Sequence, residues 1–491
     1  MRKEKGGTRK EELAAFLSKQ RWFGGKGRAI RDATLTDVIP VTWPGAKKEF
    51  AVARADVTTD DGISSYQLFL VGGDDDELTD ALEDPEFRRG LVDAFLKGAT
   101  FQHGAARCVV ESEGATPLAV PANAPITLGT AEQTNSSVII DGEAILKLYR
   151  KLEPGTHPDV EVTRFLTIER QFVHVPVLLG TIRFEDGAGG TTVAGMLQEL
   201  VPGAIDGWKY ALECSSDYFR AGDGDDPALP FEHEAQQLGV VTRALHESLA
   251  SGDPGSDFEF RHASPHDVRQ WVESSRRTIE SACRALERAL KEKRLPQARG
   301  AEATAIVERL PGYLAWMSEL DEGIGADAGA NVRTHGDYHL GQVLRSSANQ
   351  FLVIDFEGEP TRPLHERRTR HSPLRDVAGM LRSFSYAAAV GGGMQDAGSY
   401  TAATKSRPST RVALAEIRAA RWERSAREAF LRGYFSEKTG NAELLPRSHS
   451  NAGRLIALFE AEKVFYELQY ELDHRPEWLW IPLRGIAKLY T

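Results

Sequence analysis

The chain has three cysteines in 491 residues. Cys108, Cys214 and Cys283 lie far apart, with no C-x-x-C spacing. Neither a zinc-ligating set nor a disulfide framework is indicated, and a reducing cytoplasm fits. No G-x-x-x-x-G-K-[ST] occurs, which argues against a P-loop mechanism. No apolar run approaches the roughly 20 residues that span a bilayer, so no membrane partner is expected. The segment Met1–Gln20 is basic and then amphipathic, without the continuous apolar core of an export signal. A positive surplus is missing as well. The formal net charge is −11, which argues against a nucleic-acid partner held through phosphate contacts. ATP stays open, because its phosphates need only a local cluster of cations and metal. No internal repeat is visible.

What is present is ordinary for a soluble globular protein: 41% hydrophobic and 27% charged residues, enough apolar surface for a core. The length exceeds one compact core, so two or three subdomains are expected. Periodicity predicts a helix over Glu11–Lys19 and strands at Ala33–Val41, Phe50–Val57 and Ser64–Val71, a small mixed unit over residues 1–90. The acidic turn Asp74–Glu77 reads as a solvated loop. Residues 91–200 are expected as a strand-rich region, an intermediate subdomain with the ATP-binding N-lobe. In it Ser137–Ile140 and Ala144–Tyr149 flank Asp141-Gly142-Glu143, a hairpin signal. Pro158 opens a helical stretch through Gln171, and Val175–Thr181 and Thr192–Leu200 read as strands. From about Glu232 the pattern is mostly helical, with helices expected over Pro265–Glu292, Ala303–Glu319, Arg375–Ala388, Ser409–Phe435 and Leu455–Leu472. Residues 201–491 are thus expected as a helical lobe. The fold class expected is α+β: a bilobal, protein-kinase-like chain with a strand-rich lobe and a mostly helical C-lobe, ATP lying between the lobes.

The chemistry is concentrated in Thr334–Leu344 and Val353–Gly358. Asp337 precedes Gln342 by five residues and Asp355 by eighteen. Kinases place the base of H-R-D-x-x-x-x-N five residues before an amide ligand, with a D-F-G aspartate following. Here Arg has become Gly, Asn has become Gln, and D-F-G has become D-F-E-G. Asp337 is therefore expected as the catalytic base that orients and deprotonates an acceptor hydroxyl. Asp355 and Gln342 are expected to give magnesium one anionic and one neutral oxygen.

Lys147, in Ala144-Ile145-Leu146-Lys147-Leu148, resembles the V-A-I-K lysine that meets ATP phosphates. Burying it in an apolar strand is costly unless an anion meets it. Glu161, in the first turns of the next helix, is the carboxylate expected beside it, with Glu169 as second choice. Gly129–Ser137 replaces a Gly-rich loop. Its Gln133, Ser136 and Ser137 either bind phosphate or form an ordinary polar turn. Gln198, Glu199 and Val201 hold the place of an adenine-binding hinge. After Asp355 the chain is dense in charge, including Glu357, Glu359, Arg362 and Arg375, a mixture suited to a polyhydroxylated ligand. The tail Glu462–Trp478 mixes aromatics and charges on a helix, and its position alone favours packing into the core.

These residues resemble a known family. Arg21-Trp22-Phe23-Gly24-Gly25-Lys26, Leu197-Gln198-Glu199 with Asp206-Gly207-Trp208, His335–Gln342, Asp355–Pro360, Ser372–Met380 and the Glu462–Trp478 tail are similar to the maltokinases. These are ATP-dependent kinases related to aminoglycoside and choline phosphotransferases. The resemblance spans nearly the whole chain, and it implies an N-terminal cap subdomain over residues 1–90, an intermediate subdomain, and a helical C-lobe that carries the catalytic site and sugar pocket. It implies a magnesium-dependent reaction of ATP with maltose to give maltose 1-phosphate, feeding α-glucan synthesis. A sugar is then the small-molecule partner, and enzymes of the trehalose and α-glucan pathway are associates. It also implies sugar contacts from the C-lobe at His339, Glu357, Arg375, Tyr386, Lys463, Tyr466 and Glu467. Insertions at Ser215–Pro230 and Gly391–Ser409 depart from the family. Two other readings compete: a kinase of another sugar, an amino sugar such as glucosamine or an aminoglycoside, and a nucleotide-binding pseudokinase. Retention of Lys147, Asp337 and Asp355 argues against the pseudokinase.

Overall fold

The computed structural model describes residues 6–24, 29–72, 78–114, 119–129, 134–221, 227–295, 299–359, 362–393, 410–436 and 441–489. The acidic turn Asp74–Glu77, Gln133 and most of the Gly391–Ser409 insertion lie outside them. The chain divides into two compact units, Met1–Gly203 and Ala204–Thr491.

The first unit is strand-rich. Helix α1 (Gly6–Lys19) precedes the meander β1 (Asp32–Val41), β2 (Phe50–Thr59) and β3 (Gly62–Val71). Helix α2 (Pro85–Lys97) is framed by its own sequence: the Asp84 side chain accepts from Glu86 N at 2.8 Å, Pro85 stands at the first turn, and Gly98 ends the helix at φ +62°. Strands β4 (Thr100–His103), β5 (Ala106–Ser112), β6 (Ile126–Leu128), β7 (Ser136–Ile140), β8 (Ala144–Leu148) and β9 (Lys151–Leu152) follow. Then come α3 (Pro158–Arg164), β10 (Leu178–Glu185) and β11 (Thr191–Glu199). Two sheets result, β1-β2-β3-β9 and β4-β5-β10-β11-β8-β7-β6. Strand β9 therefore joins the sheet of the N-terminal meander. The adjacent Arg150 reinforces that junction: its guanidinium is buried over Trp22 at 4.5 Å, and Nε donates to Ser136 at 2.8 Å.

The β7–β8 hairpin turns at Asp141 and Gly142, both at positive φ, as its D-G signal requires. Alternation along β8 buries Leu146 and Leu148 in a core with Phe87, Phe95, Val110, Ile182 and Leu197. Two expectations shift here. Strand β10 starts at Leu178, because Pro176 has no N–H for the ladder. The α-helical hydrogen bonds of α3 end at Arg164. A π turn over Phe165–Glu169 completes the helical stretch, with Arg170 N donating to Phe165 O at 3.0 Å.

The second unit is helical: α4 (Gly207–Cys214), α5 (Ser216–Arg220), α6 (Glu232–Leu249), α7 (Pro265–Lys291), α8 (Gly300–Glu308), α9 (Leu310–Ile324), α10 (Leu364–Arg367), α11 (Leu374–Gly391), α12 (Thr410–Tyr434), α13 (His449–His474) and α14 (Trp480–Lys488). A capping box between Ser264 and Asp267, with Pro265 at the first turn, sets the start of α7. The single helix expected over Ala303–Glu319 is instead α8 and α9. Pro311 lacks the N–H that would continue the ladder, and the chain restarts at Leu310. Glycines set the contact of α6 with α12. A Cβ at Gly239 would lie 2.1 Å from Phe430 O, and one at Gly433 would lie 2.1 Å from Gln236 O. Among the described residues no helix is long and apolar enough to cross a membrane.

One small sheet sits among these helices: β12 (Ile205–Asp206), β13 (Val343–Arg345) and β14 (Phe351–Val353). It explains the eighteen-residue spacing. The β13–β14 hairpin pairs Val343 with Val353, and Ile354 N donates to Gln342 O at 3.0 Å. Gln342 and Asp355 are thereby brought to the same end of the hairpin.

Candidate active site

Asp337 lies in the loop that precedes β13. The loop is held from behind by one face of α11. Asp376, Gly379 and Ser383 recur at helical spacing and each meets it. The Asp376 carboxylate accepts from His335 N at 2.7 Å and Gly336 N at 3.0 Å. Gly379 lets Tyr338 O come so close that a Cβ would stand 2.6 Å from it, and Ser383 Oγ accepts from Leu340 N at 3.0 Å. Asp376 is fully buried. Burial alone would raise its carboxyl, but the hydrogen bond from His246 and the nearby imidazoles hold it below the usual range. His246 Nε2 is 3.1 Å from Asp376, and its Nδ1 is 2.8 Å from the Tyr434 hydroxyl.

His335 joins the two halves of the motif. Its Nε2 bonds Ile354 O at 2.9 Å, so Nε2 carries the proton and Nδ1 accepts from Asp337 N at 3.4 Å. Asp355, next to Ile354, adopts φ +66°. Asp tolerates this left-handed region better than most residues, and such outliers collect at functional sites.

In front of Asp337 is a pocket lined by Glu359, Arg362 and Arg375 and by Phe459, Glu462, Lys463 and Tyr466 of α13. The α13 residues fall at i, i+3, i+4 and i+7, one helix face. Lys463 Nζ is 3.0 Å from Asp337 Oδ1 and 3.0 Å from Glu359 Oε1. Arg362 bonds Glu359 at 2.6 Å and Glu462 at 3.1 Å, and Arg375 bonds Glu462 at 3.0 Å. Ser275 adds a hydroxyl to Glu462 at 3.2 Å. Three cations thus face three carboxylates in a nearly buried cluster, where removing one partner would leave an uncompensated charge. Burial alone would depress the Lys463 ammonium, but Asp337 and Glu359 raise it above the ordinary lysine range. Burial would raise Glu359, yet Lys463, Arg375 and Arg362 hold it well below the usual carboxylate range.

In the first unit, Lys147 sits on β8 opposite Ser137 of β7 and Met196 of β11. Its Nζ is 3.2 Å from Asp159 Oδ2, which also accepts from the Tyr149 hydroxyl at 3.1 Å. A carboxylate set against Lys147 is thus Asp159, two residues ahead of the expected Glu161. Two residues along a helix turn the side chain by about 200°. Asp159 takes the buried side, whereas Glu161 is half-buried and Glu169 exposed. Gln198 and Glu199 end β11, where Glu199 N donates to Val177 O at 2.9 Å; Val201 follows them. Ser136 and Ser137 open β7.

Residues 16–84 match the maltokinase N-terminal cap domain, and residues 125–400, more than half of the chain, match the phosphotransferase enzyme family. The chain belongs to the phosphotransferase enzyme family. A relative from Mycolicibacterium smegmatis named glucosamine kinase is 30% identical over 362 residues, covering 73% of this chain and 78% of the relative. Another of that name, from Streptacidiphilus jiangxiensis, is 29% identical over 367 residues, covering 73% and 72%. A solved glucosamine kinase in complex with glucosamine, ADP and inorganic phosphate aligns with a TM-score of 0.65 at 22% identity, over 98% of this chain and 99% of that one. That likeness shows the fold: the protein-kinase-like class with an N-terminal cap, as expected.

The sugar contacts expected of this phosphotransferase divide. Arg375, Lys463 and Tyr466 line the pocket at Asp337. Tyr386 and Glu467 do not line it. Further along α13, Arg382 bonds Glu467 at 2.6 Å, and the Tyr386 hydroxyl bonds Glu471 at 3.1 Å. His339 Nε2 is 3.9 Å from Asp337 Oδ2, and its Nδ1 accepts from Gly341 N. The Glu357 carbonyl accepts from Arg367 at 3.3 Å. Sequence reasoning gave no role to Asp159, Asp376 or Glu462. A carboxylate two residues before Glu161 and an aspartate inside the S-P-L-R-D motif were the signals available for the first two.

Proposed function

We propose that this phosphotransferase is a magnesium-dependent kinase that passes the γ-phosphoryl group of ATP to a hydroxyl of an amino sugar, with glucosamine the leading candidate. The observation that carries the chemistry is Asp337 at the mouth of a charged pocket, on a loop bonded to the hairpin that carries Gln342 and Asp355. The proton of the acceptor hydroxyl goes to the Asp337 carboxylate. The acceptor oxygen forms the new bond to phosphorus, and the bond to the bridging oxygen breaks with its electron pair left on ADP. Gln342 and Asp355 offer hard oxygens, the donor type that magnesium takes, and no sulfur or imidazole. Magnesium bound there supplies charge neutralisation for the phosphates. Lys147, steadied by Asp159, is the ATP-positioning cation of this proposal.

The acceptor is where the maltose expectation gives way. Relatives named glucosamine kinase align over about three quarters of the chain, and mixed carboxylates and arginines beside Asp337 suit an ammonium among hydroxyls. Maltose remains the second reading, favoured by the match of residues 16–84 to the maltokinase cap. A cytoplasmic site of action, where ATP is the abundant donor, belongs to the same proposal.

The test is ADP release with magnesium and a panel of glucosamine, maltose, glucose and an aminoglycoside, with phosphorus NMR of the product. Glucosamine should give the highest kcat/KM. Turnover on maltose alone would restore the maltose reading. ATP binding without turnover on any acceptor would favour the pseudokinase.

A further inference from the structure

We infer that Lys463 is a positioning residue for the base: anchored on Glu359, its ammonium holds one oxygen of Asp337 so that the other receives the acceptor proton. The inference rests on Asp337 being the base. Lys463 Nζ meets Asp337 Oδ1 and Glu359 Oε1, both at 3.0 Å. Oδ2 stands 3.9 Å from His339 Nε2, beyond hydrogen-bond range. The two oxygens of the carboxylate are thus distinguished by their partners, and Oδ2 is the one left for a hydroxyl.

The anchor is itself fixed. Glu359 Oε2 takes Arg362 Nε at 2.6 Å and lies 3.7 Å from Arg375, leaving Oε1 to Lys463. Glu359 is buried, and Lys463 comes from the middle of the long helix α13. The Lys463 ammonium also lies 4.9 Å from the Tyr466 ring centre, which restrains it on its own helix. A cation held from a rigid helix on one side and a buried carboxylate on the other fixes the rotation of the Asp337 carboxylate. Alignment of this kind acts on the rate of the chemical step rather than on substrate affinity. The consequence differs from that of a sugar contact: Lys463 acts on the acceptor only through Asp337.

The experiment is steady-state kinetics on Lys463→Met, Lys463→Arg, Glu359→Gln and the double variant Lys463→Met/Glu359→Gln, with Asp337→Asn as reference. Lys463→Met should lower kcat by about 100-fold, the scale of a misplaced base, with KM for ATP and acceptor changed less than about threefold. Lys463→Arg, which keeps the cation, should recover about tenfold. Glu359→Gln should lower kcat by about tenfold alone but less than about twofold in the Lys463→Met background, because it acts through that lysine. Preserved kcat with a raised acceptor KM in Lys463→Met would overturn the inference and make Lys463 a sugar contact. Additive losses in the double variant would overturn it too. If Lys463→Met does not fold, Lys463→Arg and Glu359→Gln decide alone: both must lower kcat without raising KM. An inactive Asp337→Asn beside a fully active Lys463→Met sinks only this inference, whereas an active Asp337→Asn sinks the reading of the base itself.

Discussion

His335 Nε2 bonds the Ile354 carbonyl at 2.9 Å, and through this bond the loop of Asp337 is fastened to the end of the strand that leads to Asp355. The ring is buried against Tyr338 at 5.3 Å and Phe356 at 4.9 Å. His335→Ala removes the bond and opens a cavity, so stability should fall by about 2–4 kcal/mol. Because Asp337 N also bonds this ring, kcat should fall by about tenfold or more even where the variant is folded. Urea unfolding and initial rates at saturating substrates check both. An unchanged kcat would mean that the loop keeps its shape without this tie.

How much of this was legible in the sequence depends on the range of the interaction. The five-residue step from Asp337 to Gln342 is local and was read directly. The step to Asp355 was readable because a hairpin intervenes, and β13–β14 places both ends together. The D-G turn announced the β7–β8 hairpin in the same way. That Asp159 meets Lys147 was readable only as a class. A carboxylate in the first turns of α3 was required, but the entry angle of the helix decides which one turns inward. The contact of Lys463 with Asp337 joins residues 126 positions apart, and no local pattern encodes it. The same holds for Arg382 drawing Glu467 away from the pocket. The acceptor sugar was carried by resemblance, so the names of relatives bear on it, whereas the spacing of Asp337, Gln342 and Asp355 does not depend on them.

The pairing of Lys147 with Asp159 gives a clear contrast between neighbours. Asp159→Asn removes the charge that Lys147 and the Tyr149 hydroxyl share. It should lower kcat/KM for ATP by about tenfold or more, in line with loss of a buried charge pair. Glu161→Gln should stay within about threefold of the parent, the scale of a half-exposed charge. Titration of ATP at saturating acceptor checks the pair, and the reverse ranking would return the role to Glu161.

The metal role proposed for Asp355 can be tested apart from its unusual backbone. Asn tolerates φ near +66° about as well as Asp, so Asp355→Asn should leave the melting temperature within a few degrees. Its neutral oxygen is a weaker ligand for a hard cation. The variant should therefore need about tenfold more magnesium for half-maximal rate, and its maximal rate should drop by about 100-fold. Rates across a magnesium series measure this. A parent-like magnesium requirement would remove Asp355 from the metal site.

The last expectation concerns Asp376 and pH. Its buried carboxylate accepts from His335 N, Gly336 N and His246. Asp376→Asn keeps the shape but puts an amide donor where an acceptor is needed, and should cost about 3–5 kcal/mol at neutral pH. The Asp376 carboxyl is held below its ordinary value in the folded protein. A carboxyl depressed on folding stabilises fully above its unfolded pKa of about 3.9, and that contribution is lost as pH falls through the folded value. A protonated aspartic acid, like asparagine, turns one of the two acceptor positions into a donor. The stability gap between parent and variant should therefore be constant from about pH 8 to pH 5 and should narrow as pH falls below about 4. Urea unfolding of both chains across this range measures the gap. A gap that widens in acid would mean that the ionised carboxylate is not what holds the loop of Asp337.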